Sequence, residues 1–312
     1  MPGGEFDWIA QLLRPLTRGA PEALDLLDDA AVIPSRPGFD LVVTKDALVA
    51  GVHFLTDDPL DLVARKLLRV NLSDLAAKGA EPWAYFLTTA WPTGTSWADK
   101  ALFAEGLAVD GQAFDISLLG GDTVSTPGPL TLTATLLGWV PQGGAIPRKG
   151  ARPGDRLAVS GVIGDGWLGL MAARGELDSP ALADRYRLPE PRVDLIPVLR
   201  VHARAAADVS DGLLADAGHI ARASGCGVRI DLDVMPLSSE AEAWLKRQPA
   251  RAEALTALAT GGDDYQIVCA LDAATGVPAG LTVIGRFVEG QGVITCVNGG
   301  EIEVPRPGWT HG

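Results

Sequence analysis

Residues 59–78 read as one helix. Its apolar stripe (Leu60, Val63, Leu67, Val70) follows the three- and four-residue spacing of an α-helix and then continues into Asp74. Asn71 lies on the same face, and Gly79 and Pro82 end the helix. An ionised carboxylate on a buried stripe is costly unless a cation pairs with it. Asp74 therefore either lies past the edge of the core or serves as a cation ligand. Leu75, which carries the helix onward, favours the ligand.

The other periodic segments supply both classes of element. Leu130–Leu137, LTLTATLL, alternates leucine with threonine at the period of a half-buried strand. Phe39–Thr44, Arg156–Ser160, Val228–Val234, Tyr265–Leu271 and Leu281–Ile284 read as further strands, and Leu213–Ser224 as a helix stopped by Gly225. The 37 glycines and 22 prolines fall between these segments and imply many short turns. No unit repeats at a period of about 20–50 residues, which removes solenoids and propellers. At roughly 100–200 residues per domain, a chain of 312 residues suggests two domains. The Gly- and Pro-rich stretch Pro141–Gly154 marks the boundary, giving residues 1–140 and 141–312. Strands and helices in both halves predict a two-domain protein of mixed α/β and α+β class.

Charge and cysteine usage narrow the function classes. Lys and Arg number 26 against 39 Asp and Glu, a formal net charge of −13. That field repels nucleic acid and anionic lipid alike. No apolar run reaches the roughly 18 residues a membrane helix needs. The start MPGGEFDWIA lacks the basic and apolar regions of a signal peptide. Cys226, Cys269 and Cys296 are scattered, as in a protein kept in the reducing cytoplasm, and His53, His202, His219 and His311 have no zinc-like spacing.

The acids are placed more tellingly than they are numerous. Asp28-Asp29 precede the apolar step Ala30–Ile33, Asp46 follows Leu41–Thr44, and Asp122 follows Leu118-Leu119-Gly120-Gly121. Asp208 and Asp211 bracket Val209-Ser210 before a helix, and Asp263-Asp264 follow Gly261-Gly262. Such positions are where α/β proteins build sites. Taken singly, each acid reads as a cap or turn former. Taken as a set, they repel: two unit charges 4 Å apart interact by about 4 kcal/mol at an effective dielectric near 20. Convergent carboxylates either take up protons or bind a hard divalent metal, and all-oxygen ligands select Mg²⁺ or Mn²⁺. Mg²⁺ held this way commonly shares its coordination with substrate phosphates, so a polyphosphate ligand follows.

Other phosphate signals are mixed. Gly164, Gly166 and Gly169 match GxGxxG after a strand, but no second strand ending in an acid follows, so a glycine-rich strand-to-helix turn is the better account. GxxxxGK[ST], HRD and DFG are absent, which excludes both common kinase classes. Gly120-Gly121-Asp122 combines close backbone approach with an acid, and Arg148 with Lys149 could clamp phosphate oxygens or simply be solvated. His53 reads equally as a backbone-bonded loop residue or a substrate contact, and Trp309 as a surface anchor or an aromatic lid.

Eight blocks in order resemble the thiamine-monophosphate kinases, a family within the aminoimidazole-ribonucleotide-synthetase-like superfamily. They are GEFDWIA (Gly4–Ala10), DDAAVI (Asp28–Ile33), KDALVAGVHF (Lys45–Phe54), NLSDLAAKGAEP (Asn71–Pro82), GGDT (Gly120–Thr123), RKGARPGD (Arg148–Asp155), DVSDGL (Asp208–Leu213) and GGDDY (Gly261–Tyr265). The resemblance implies an N-terminal domain whose mixed sheet pairs with a second subunit into a barrel, and a C-terminal α/β domain closing the cleft. It implies transfer of the γ-phosphoryl of ATP to thiamine monophosphate in a homodimer using several Mg²⁺ ions. On the matching positions, Asp29, Thr44, Asp46, Asp74, Asp122 and Asp208 look like metal ligands, with Asp211 a further one. Gly121, Asp122, Arg148 and Ser210 look like ATP contacts, and His53, Asp263 and Trp309 like thiamine-side residues. In three places the chain departs from the family pattern: Lys45 stands where a small hydroxyl residue is common, Leu27 where glycine is usual, and Asp263 where glutamate is usual. The alternatives are another ATP-using member of the superfamily, of purine-pathway type, or a non-catalytic ATP- or metal-binding regulator. No cysteine precedes Cys226 and none lies in the final Trp309-Thr310-His311-Gly312, unlike the selenophosphate synthetase and hydrogenase-maturation relatives.

Overall fold

The computed structural model describes residues 5–309; Gly4 of the first block and His311 lie outside the described residues. Packing divides the chain into two units, one of residues 1–75 and 80–144, the other of residues 76–79 and 145–312.

In the first unit a short helix, α1 (Glu5–Trp8), and single-turn helical segments lead to β1 (Phe39–Val49), α2 (Leu60–Ala77), β2 (Glu81–Pro92), α3 (Trp97–Ala113), β3 (Ser117–Thr126) and β4 (Thr131–Pro141). The strands form one sheet in the order β1-β4-β2-β3, antiparallel except for the parallel pair β2–β3. One face is apolar and buried: Leu48, Leu132, Ala134, Leu136, Tyr85 and Leu87 fall on it in cross-strand register. Ser96 caps α3, accepting from the Asp99 N–H while Asp99 accepts from the Ser96 N–H. Arg65 and Arg69 of α2 reach the fully buried Asp110 of α3 at 3.0 and 2.6 Å, so that charge is paired rather than stranded.

Strands expected to stop at Thr44 and Gly121 run on to Val49 and Thr126. The cause is the partner: β4 pairs every residue of β1 from Phe39 to Val49. Asp46 and Asp122 are therefore strand residues, not residues that follow strands.

The second unit holds β5 (Arg156–Ser160), α4 (Asp165–Ala173), α5 (Pro180–Arg187), α6 (Ile196–His202), β6 (Ala203–Asp208), α7 (Leu213–Ser224), β7 (Gly227–Asp231), α8 (Ser239–Leu245), α9 (Arg251–Thr260), β8 (Ile267–Leu271), β9 (Leu281–Val288), β10 (Gly292–Val297) and β11 (Gly300–Ile302). Its seven-stranded sheet has the order β11-β10-β7-β9-β5-β8-β6, with β7–β10 its parallel pair. Alternate residues feed two apolar layers. Leu157, Val159, Ala205, Ala207, Val268 and Ala270 face the α7 side with Leu213, Ala217 and Ile220, while Ala158, Ala206, Ile267, Cys269 and Leu271 face Ile196 and Leu199 of α6. Both faces being covered explains the continuous apolar runs of β5 and β8. The strand expected over Val228–Val234 ends at Asp231, whose side chain accepts from the Asp233 N–H and opens a helical turn. The strand expected from Tyr265 begins at Ile267, because Tyr265 adopts φ +50°, which no strand residue does.

Candidate active site

In the first unit, Thr44 and Asp46 are two apart on β1 and so share one face of the sheet, the face that α2 presents Asp74 to. The Thr44 hydroxyl donates to Asp74 Oδ2 at 2.5 Å. Burial, and then the Asp74 charge, push the Asp46 carboxyl up to about 6. These are three oxygen donors, one of them a carboxyl that keeps its proton to a higher pH than usual. A hard divalent cation would relieve the burial and the repulsion together. Lys45, between Thr44 and Asp46, is exposed on the opposite face and does not supply that charge to them.

Asp122 belongs to a different surface. Its neighbour Thr123 bonds Trp8 and Thr89 on the buried side, at 3.1 Å each. Asp122 consequently points to the open face, on the edge strand opposite β1. A Cβ at Gly121 would stand 1.8 Å from the Leu87 carbonyl, so glycine is demanded here by strand packing. Asp29 is exposed, its N–H held by Asp28 at 2.8 Å. His53 Nδ1 accepts from the Val49 N–H at 3.1 Å, which fixes the imidazole within its turn.

The second unit gathers most of the remaining site candidates. Asp208 ends β6 and is buried. The following loop is laced to two others: Asp263 donates its N–H to Ser210 O at 2.9 Å, Tyr265 to Val209 O at 2.8 Å, and Trp309 to Asp211 O at 2.9 Å. Gly262, at φ +73°, sits so close that an added Cβ would lie 2.5 Å from Ser210 O. Ser210, Asp211, Asp263 and Trp309 thus converge. Arg148 is close enough to this loop for its charge to act on Asp216 and His219.

Two backbone anion nests lie here, and both are filled by the protein's own carboxylates. At the start of α7, the N–H groups of Ser210, Asp211 and Gly212 donate to Asp216 Oδ2 at 3.1–3.2 Å. At the start of α4, Gly164 donates to both oxygens of Asp264 and Gly166 to one, each at 2.9 Å. The GxGxxG glycines therefore serve a buried carboxylate, in agreement with a structural turn. Burial drives Asp216 up to about 7 and Asp264 up to about 8, against the pull of those N–H groups. A phosphate bound to this unit must rely on cations rather than on these helix ends.

The sequence assigns no role to Asp216, His219 or Tyr265, and Asp264 enters there only as one of the acids after Gly261-Gly262. Asp211, Asp216 and His219 each place one ligand atom within 4.8 Å of the others. The signal for Asp216 was its place in the first turn of α7, as a helix cap rather than a site residue. The signal for Asp264 and Tyr265 was their presence in the GGDDY block.

The AIR synthase related protein N-terminal domain family matches residues 27–140, and its C-terminal domain family matches residues 152–297. The thiamine-monophosphate kinase of Caulobacter vibrioides is 62% identical over all of this chain and 92% of its own. The crystal structure of the thiamine-monophosphate kinase from Stenotrophomonas maltophilia superposes with a TM-score of 0.77 at 38% identity, over 88% of this chain and 90% of that one. That of AaThiL complexed with AMPPCP and TMP superposes with a TM-score of 0.80 at 29% identity, over 99% and 97%.

Proposed function

On the premise that this chain belongs to the AIR synthase related family, in its thiamine-monophosphate kinase branch, we propose that it carries out ATP-dependent phosphorylation of thiamine monophosphate to thiamine diphosphate. The observation that carries the chemistry is the set Thr44, Asp46 and Asp74. Phosphoryl transfer requires alignment and neutralised charge more than covalent work by the protein. The acceptor is a phosphate monoester, already ionised near pH 7. No general base is needed, and transfer is direct and in line, without a phosphoenzyme.

Oxygen donors alone, with a carboxyl raised to about 6 by burial and by the Asp74 charge, fit Mg²⁺, which favours the ionised form. Thr44, Asp46 and Asp74 would hold one such ion, and Asp29, Asp122, Asp208 and Asp211 are the candidate ligands for further ions. When bound, the metal supplies charge neutralisation for the phosphates of both substrates. Arg148, exposed and unencumbered by an ion pair among the described residues, offers a bidentate fork to phosphate oxygens. Gly121, Asp122 and Ser210 complete the ATP side, and His53, Asp263 and Trp309 the thiamine side. The aromatic face of Trp309, 60% exposed while its backbone is pinned to Asp211, is suited to stacking on a heterocycle.

The sheet of the first unit leaves one face open, and Leu41, Val43 and Val124 expose 37%, 56% and 46% of their surface there. We read that face as the surface on which a second copy closes a barrel, making the enzyme a homodimer. Among the described residues no helix is long and apolar enough to cross a membrane, and the three cysteines are free and buried, which supports work in the cytoplasm.

The decisive assay measures ADP and thiamine diphosphate with ATP, Mg²⁺ and thiamine monophosphate. Controls replace the acceptor with riboside monophosphates or omit it. Stoichiometric formation of both products only with thiamine monophosphate is expected; ADP formed equally without acceptor, or with a riboside monophosphate alone, would refute the reading.

A further inference from the structure

We propose that Tyr265 is a positioning residue for thiamine monophosphate, acting through Asp263; the inference rests on the reading of Asp263 as a thiamine-side residue. The Tyr265 hydroxyl donates to Asp263 Oδ1 at 3.0 Å. Side chains two residues apart do not face one another in a helix, and residues 263–265 are not in a strand. The backbone makes the contact by placing both residues in the left-handed region, Asp263 at φ +61° and Tyr265 at φ +50°, a conformation non-glycine residues adopt only when their surroundings impose it.

Those surroundings are visible. The N–H of Asp263 is tied to Ser210 O and that of Tyr265 to Val209 O. Between them Asp264 turns inward, buried, and takes the N–H groups of Gly164 and Gly166. The three residues 263–265 are thus clamped from both sides, with alternate roles: Asp264 anchors, Asp263 presents, and Tyr265 braces. Tyr265 is itself buried, 9% exposed, so its hydroxyl is a fixed rather than a searching donor.

An unbraced aspartate side chain samples several rotamers, and each wrong one must be frozen out when substrate binds. A phenol that selects one rotamer beforehand removes that cost. The ring nitrogens and amino group of the thiamine heterocycle then meet a carboxylate already turned toward them. ATP, which does not depend on Asp263, gains nothing from the brace.

The test compares Tyr265→Phe, Asp263→Ala and the double variant in the full chain, reading kcat, KM for each substrate and the thermal midpoint. Tyr265→Phe is expected to raise KM for thiamine monophosphate about fivefold, the factor one hydrogen bond confers. KM for ATP and the thermal midpoint should hold. In the Asp263→Ala background, Tyr265→Phe should add nothing, as a residue acting only through Asp263 requires. An unchanged KM for thiamine monophosphate in Tyr265→Phe, or an equal effect with and without Asp263, overturns the proposal. If Asp263→Ala leaves that KM unchanged, the thiamine-side reading of Asp263 falls as well, and the proposal with it. Should Tyr265→Phe fold poorly, 3-fluorotyrosine at 265 alters the donor without emptying its space. It should shift KM for thiamine monophosphate alone, and no shift overturns the proposal.

Discussion

Asp46 and Asp122 stand on opposite faces of one four-stranded sheet and on its two opposite edge strands, β1 and β3. Three strand spacings of about 4.8 Å separate those edges. Within one chain, therefore, Asp122 does not join the proposed ligand set of Thr44, Asp46 and Asp74.

The first prediction separates the two acids. Asp74→Asn should abolish the rise in thermal midpoint that Mg²⁺ produces, whereas Asp122→Asn should retain it. Both should lower kcat by on the order of 10²-fold, the scale of losing one electrostatic stabiliser of a transition state. Thermal shift with and without Mg²⁺, alongside turnover, checks both statements.

The second concerns pH. The Asp46 carboxyl titrates near 6 in the folded protein and at 3.8 unfolded. Between those values the folded state holds a proton that the unfolded state has lost, so stability falls as pH rises through that window. In EDTA the thermal midpoint should accordingly decline from about pH 4 to about pH 6 through this group, and saturating Mg²⁺ should reverse the decline above pH 6. A midpoint that rises across the window in Asp46→Asn relative to the parent would support the assignment; identical profiles would remove it.

A third prediction tests why Gly121 is glycine. Gly121→Ala pushes a methyl into the Leu87 carbonyl and should destabilise the first unit by roughly 1–3 kcal/mol or more. Denaturant unfolding should show the loss even without nucleotide, which a purely phosphate-contacting glycine would not produce.

The fourth addresses the open sheet face. Val43→Glu places a charge in the proposed barrel and should convert dimer to monomer in sedimentation velocity while the circular dichroism spectrum stays native. A parent chain that sediments as a monomer at micromolar concentration would end the barrel reading.

Local elements were legible where their causes are local. The helix Leu213–Ser224 and the strand Arg156–Ser160 occur at the expected residues, the former because Gly225 takes φ +71° and ends it. The stripe of residues 59–78 became α2 with its boundaries moved by one residue at each end. Asp74, within it, is half-buried and accepts from the Thr44 hydroxyl.

Strand ends depart from their expected positions for a different reason. A strand lasts as long as a neighbour pairs with it, so β1 outlasts its apolar run because β4 does. The same holds for the acids that look alike in the sequence. Asp263 and Asp264 are adjacent, yet one is turned to the loop surface and the other is sealed under two glycine N–H groups.

Amino-acid order alone settled the mixed class of elements, the acidic character and the places of the acid-bearing blocks, because periodicity, charge and spacing are properties of neighbours along the chain. Which carboxylates face one another, which are spent on helix ends, and which tyrosine braces which aspartate were decided only on folding. Those outcomes depend on groups up to a hundred residues apart being forced into a few ångströms, where burial and charge set the chemistry each can perform.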